Sequence, residues 1–166
     1  MTLLSLPWLE FAILTVVAGA ICISPLRDPV RAWRWGVAFT GAALGCALLK
    51  CLGFYLSGPQ ANHNWSFQDH FLGARFLNID ELNAPLLPLV ALLHFLSALA
   101  TGRTKLRRFS MSWSLASEAI RLSAFACVQP WLLIGLLAAD TLPGYVELVN
   151  RGRPTRVYAL HMGLFV

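Results

Sequence analysis

Six ionisable side chains sit inside stretches that are otherwise apolar: Lys50, His94, Glu118, Arg121, Asp140 and His161. A charge at membrane depth costs about 2.5–3.5 kcal/mol on insertion scales, so each such residue needs a partner or a task. Glu118 and Arg121 are three positions apart. On a helix they share a face and can pair, either as a structural clamp between helices or as part of a proton path. Asp140 precedes Pro143 by three residues. Proline removes a backbone donor and clashes with the carbonyl four residues back, here Ala139, so a helix break is expected at Pro143. In membranes, broken helices are tolerated where they line protein or water. A carboxylate beside such a turn is a candidate proton or ion site, or a protonated acid bonded to a neighbouring helix. Lys50 either snorkels outward on its long stem or places a charge inside a polar channel. His94 and His161 are each a cross-helix hydrogen-bonding group or a proton relay.

Other groups carry less chemistry. Gly41 and Gly45 form a GxxxG pattern, which lets a second helix approach closely. Cys22, Cys46, Cys51 and Cys127 lie in apolar runs without metal-like spacing and read as small buried hydrophobes. His63, Asp69 and His70 form a loop set that could ligate a metal. No phosphate loop, nucleophile elbow, dinucleotide fingerprint, or flavin or iron–sulfur motif is present.

The elements that must hold these residues follow from hydropathy. Of the 166 residues, 57% are hydrophobic and 13% charged. A soluble domain carries about 25% charge. This composition excludes a disordered chain, a disulfide scaffold and most soluble folds. About 20 mostly apolar residues cross a bilayer core as a helix. Spans are expected at about Leu6–Ile23, Trp35–Leu56, Ala84–Ala100, Phe109–Val128 and Trp131–Val149, with a sixth apolar run from Val157 to Val166. The fourth is polar for a span, holding Glu118, Arg121 and five serines. The sequence ends inside the sixth run, so an amino-terminal fragment of a longer protein is expected.

The expected loops alternate in charge. The first holds Arg27, Arg31 and Arg34, the third Arg103, Lys105, Arg107 and Arg108, and the fifth Arg151, Arg153 and Arg156. The second holds Arg75 as its one base, against Asp69, Asp80 and Glu81, and the fourth no charge. Short basic loops stay on the cytoplasmic side, which puts the amino terminus outside. Basic runs in this position report topology rather than nucleic-acid binding. The expected fold is therefore all-α, a polytopic bundle of five full spans plus the start of a sixth, in one transmembrane domain.

From about Asp80 onward the sequence resembles the antiporter-like membrane subunits of respiratory NADH:quinone oxidoreductase, most closely the M type, and the related Mrp-type sodium/proton antiporters. The stretch from Asp80 to Leu86 is similar to the family's D-G-L-S-x-P-L. Glu118-Ala119, then Phe125 and Gln129, resembles E-A-x-x-x-x-x-F-x-x-x-D. Leu142-Pro143-Gly144-Tyr145 and then Arg156 to Leu160 resembles V-P-M-Y followed by R-x-x-A-x-x-K-F. The resemblance implies a proton-translocating subunit that couples quinone reduction elsewhere in the complex to proton transport. It implies flavin, iron–sulfur clusters and quinone on partner subunits, membrane-arm subunits and the lipid bilayer as partners, and the bacterial cytoplasmic membrane as location. It also marks a departure. The glutamate that the family carries on its fifth helix falls at Ala138, and Asp140 lies two positions on, about 200° around a helix. His161 is the nearest base to the family's later lysine. A degenerate scaffold subunit that transports nothing is the alternative.

Overall fold

The computed structural model describes residues 6–57, 76–101 and 110–150, together with Val157, Leu160 and Met162. Five helices account for the regular structure there: α1 (Trp8–Ile23), α2 (Pro29–Ser57), α3 (Asn83–Ala100), α4 (Met111–Ala126) and α5 (Pro130–Asn150). Their starts follow local chemistry. Pro29 and Pro130 open α2 and α5, where a missing N–H costs nothing and the fixed φ suits a helix. Ahead of α2, the Asp28 carboxylate accepts the Val30 N–H at 3.0 Å and also pairs with Arg31 at 3.4 Å. Glu10 lies in the first turn of α1, where the helix dipole favours an acid.

Buried positions recur at helical spacing. On α1 they include Leu9, Ala12, Val16, Gly19 and Ile23; on α3, Ala84, Leu87, Ala91 and Ala98; on α4, Met111, Leu115, Leu122 and Ala126. Helix α1 packs on α2 and α4, α2 on α3, and α3 on α4, so four helices close a ring, with α2 also touching α4. Alanines fill much of the shared core. Small residues there let helix backbones approach where lipid supplies no hydrophobic drive. Helix α5 stands outside this ring and packs on α4.

Three contacts fix the directions. Trp33 Nε1, near the start of α2, donates to the Ala98 carbonyl near the end of α3 at 2.9 Å. Asn78 N–H donates to Ala126 O at 2.8 Å, and Val128 N–H to Phe76 O at 2.9 Å. These surround an antiparallel bridge between Leu77 and Cys127. The segment before α3 is thus clipped to the turn after α4. Neighbours in the ring run antiparallel, with the ends of α1 and α3 beside the starts of α2 and α4.

Three helices are long and apolar enough to cross a membrane: Pro29–Leu56, Asn83–Ala100 and Pro130–Val149. Helices α1 and α4 have 16 residues each. At 1.5 Å per residue that is about 24 Å, short of a hydrocarbon core of about 30 Å. The expected first and fourth spans therefore form helices below full spanning length. Val157, Leu160 and Met162 of the sixth apolar run are helical.

Two further expectations are corrected. Helix α5 continues through Pro143 to Asn150 and does not break there. Proline forfeits one backbone bond, and the surrounding turns hold; one turn back, the Thr141 hydroxyl bonds the Ala138 carbonyl at 2.7 Å. The glycine pattern at Gly41 and Gly45 admits a second helix closely at Gly41 and not at Gly45. A Cβ on Gly45 would meet nothing within 4 Å, and one on Gly41 would sit 3.3 Å from the Phe95 ring. The tight approaches are at Gly19, 2.7 Å from Phe39 Cγ, and Gly36, 2.6 Å from Met111 Cγ, by the same measure.

Candidate functional site

The polar face of α4 builds the site. Ser110, Ser114, Ser117 and Arg121 follow one another at spacings of four, three and four, which stacks them on a single face of the helix. That face meets α5 and the middle of α3. Ser117 donates its hydroxyl to Asp140 Oδ1 on α5 at 2.7 Å. Arg121 Nε reaches the same carboxylate, at 3.1 Å from Oδ2 and 3.3 Å from Oδ1. His94 of α3 places Nε2 at 3.0 Å from the Ser114 carbonyl and 3.3 Å from its hydroxyl. A bond from the ring N–H to the carbonyl selects the tautomer protonated at Nε2.

Two cavities meet at the Arg121–Asp140 pair. One, of about 420 Å³, is lined by His94, Ser114, Ser117 and Glu147 among others; the second, of about 570 Å³, by Asn83, Phe125 and Leu133 among others. Arg121, Leu137 and Asp140 line both. The first cavity lies toward the start of α4 and the second toward its end. The ion pair is therefore a charged partition between two spaces that follow the helix axis.

Half of the candidate residues come together here. His94, Arg121 and Asp140 share the first cavity. Glu118 does not. It is fully buried, and among the described residues neither carboxylate oxygen has a hydrogen-bond partner. The expected Glu118–Arg121 pairing is replaced by Arg121–Asp140, because α5 docks on the side of α4 that Arg121 occupies while Glu118 turns into the ring. Lys50 lies elsewhere, near the end of α2, where the charge of Glu10 at the start of α1 acts on it. His161, and the loop set His63, Asp69 and His70, lie outside the described residues. Among the described residues no group of three or more His, Cys, Asp or Glu side chains could hold a metal ion. The four cysteines are free.

Sequence reasoning missed Ser114 and Ser117 as partners of His94 and Asp140. Their spacing relative to Arg121 was the available signal. The choice between Glu118 and Asp140 as partner for Arg121 needed the rotation of α4 within the bundle. No protein family, curated protein or solved structure matches this chain.

Proposed function

We propose that the chain is an antiporter-like membrane subunit of an NADH:quinone oxidoreductase, conducting protons along the cleft between α3, α4 and α5. In this reading all five helices cross a bacterial cytoplasmic membrane with the amino terminus outside. The redox cofactors belong to partner subunits of the membrane arm and its attached domains. The observation that carries the reading is the Arg121–Asp140 pair between two cavities, with Ser117 bonded to the same carboxylate. A carboxylate that can accept and release a proton, held by a fixed cation and reached by cavities on two sides, has the parts a proton relay needs. His94 adds a second titratable group on the wall of the first cavity.

The test is proton uptake by inverted membrane vesicles containing the assembled complex. Asp140→Asn keeps the shape and removes the titratable group. Pumping falls several-fold at normal assembly and normal electron transfer. Unchanged pumping at normal assembly removes Asp140 from the path.

A scaffold role is the second reading, favoured by Ala138, which stands where the resembled family carries its glutamate. In that case the Arg121–Asp140 pair clamps α5 to α4. Asp140→Asn then lowers assembly and leaves pumping per assembled complex unchanged.

A further inference from the structure

A second polar pocket lies at the end of the bundle where α1 finishes and α2 and α4 begin. It encloses about 160 Å³, lined by Ser24, Arg27, Trp33, Ser110 and Ser112 among others. Arg27 is the one charged side chain on its wall among the described residues. Its neighbour Arg31 is engaged with Asp28 and exposed. The pocket thus offers one cation and three hydroxyl groups. That set suits an oxyanion carrying one negative charge, with the guanidinium bonding its oxygens and the hydroxyls completing the shell.

The pocket does not end there. Ser24 and Ser112 also line a groove of about 510 Å³ between α1 and α4, whose other walls include Ala20, Ile21, Trp113 and Ala116. Ala20 and Ile21 precede Ser24 on α1 and Ala116 follows Ser112 by about one turn on α4, so an apolar wall runs from the pocket along the two helices. The groove is bordered by the two 16-residue helices. Each is about 6 Å short of a hydrocarbon core of about 30 Å. A headgroup can therefore sit deeper here than beside a full-length helix, at the level of the pocket. Trp33 and Trp113 stand at this level, where indole rings favour the boundary between headgroup and hydrocarbon.

We infer that this pocket and groove together bind one anionic phospholipid, its phosphate against Arg27 and the three serine hydroxyls and an acyl chain along Ala20, Ile21 and Ala116. Basic pockets between membrane helices take anionic headgroups by the same chemistry. A free phosphate would satisfy the pocket but leave the groove unused. Arg121 and Asp140 line neither space, while Ser110 and Trp113 are shared with the first cavity.

The test is native mass spectrometry of the purified full chain in detergent, titrated with phosphatidylglycerol, phosphatidylcholine or inorganic phosphate. Both lipids present the same phosphate to Arg27, but the quaternary cation of phosphatidylcholine is repelled by the guanidinium, so phosphatidylglycerol binds about tenfold more tightly. Arg27→Gln removes that preference and Arg27→Lys largely keeps it. Ala116→Phe fills the groove and weakens both lipids. Arg31→Gln, outside the pocket, changes either lipid by less than about twofold. Equal binding of the two lipids by the unaltered chain, or full preference in Arg27→Gln, overturns the inference. So does displacement of phosphatidylglycerol by millimolar phosphate with Ala116→Phe silent, which identifies a free-anion site. Should Arg27→Gln fail to fold, the lipid preference of the unaltered chain and of Arg27→Lys decides.

Discussion

The sharpest consequence of the site is an energetic coupling between Arg121 and Asp140. The Asp140 carboxylate accepts from Ser117 Oγ at 2.7 Å and from Arg121 Nε at 3.1 and 3.3 Å. The side chains of Arg121 and Asp140 are 49% and 27% exposed. Fully exposed pairs contribute about 0.2–1 kcal/mol, and breaking a fully buried pair costs about 3–5 kcal/mol. This pair falls between those limits. We expect a coupling of about 1–2 kcal/mol in a double-mutant cycle with Arg121→Gln and Asp140→Asn. The assay is reversible unfolding of the purified chain in mixed micelles, followed by tryptophan fluorescence. Each single variant destabilises by about 2 kcal/mol, since each leaves one charge short of its partner. The double variant is less destabilised than the sum, because no charge is stranded. Coupling below about 0.3 kcal/mol, the level expected of independent sites, would refute a working ion pair between α4 and α5. The same double variant separates the two functional readings. A clamp is largely restored by a neutral Gln–Asn pair, whereas a proton relay stays lost because no titratable group remains.

Further outcomes follow from other contacts. Glu118→Leu removes two buried oxygens that lack partners among the described residues and raises stability in the same unfolding assay by about 1–3 kcal/mol; a loss instead would reveal a partner for the carboxyl. Gly19→Ala puts a methyl 2.7 Å from the Phe39 ring carbon nearest the chain and lowers stability by about 1–3 kcal/mol. Gly45→Ala, with nothing within 4 Å, raises it by about 0.5–1 kcal/mol in the same measurement. Trp33→Phe loses the bond to Ala98 O and costs about 0.5–1.5 kcal/mol, read as a lower unfolding midpoint.

Much of the helix layout could be read from the residues alone. Long apolar runs placed α3 and α5 within one residue of their observed ends, because hydropathy is a local signal, whereas α2 starts at Pro29, six residues before the expected Trp35. The shortness of α1 and α4 was harder to see. Helix α1 ends at Ile23 as expected but starts at Trp8, and α4 is two residues shorter at each end than expected, because apolar residues flank both helices beyond their hydrogen-bonded turns. The expected break at Pro143 failed for a related reason. Proline's local cost is real, but continuity is decided by the bonds of the turns on either side.

The site shows the limit more clearly. While Glu147 on the same cavity was not singled out, His94, Arg121 and Asp140 could be picked out from sequence, since charge in an apolar run is visible without a fold. Their pairing could not, because two acids competed for one guanidinium. Glu118 is the nearer in sequence, three positions from Arg121, while Asp140 is 19 away. Sequence proximity favours Glu118 only if nothing else approaches that side of α4. Helix α5 does approach, held beside α4 by a connection of three residues, Cys127 to Gln129, and it brings Asp140 level with Arg121. Glu118 is left fully buried, without a hydrogen-bond partner among the described residues. The pairing thus depends on the docking of α5, a long-range property, and this is why the Arg121–Asp140 cycle tests the helix arrangement and the candidate site together.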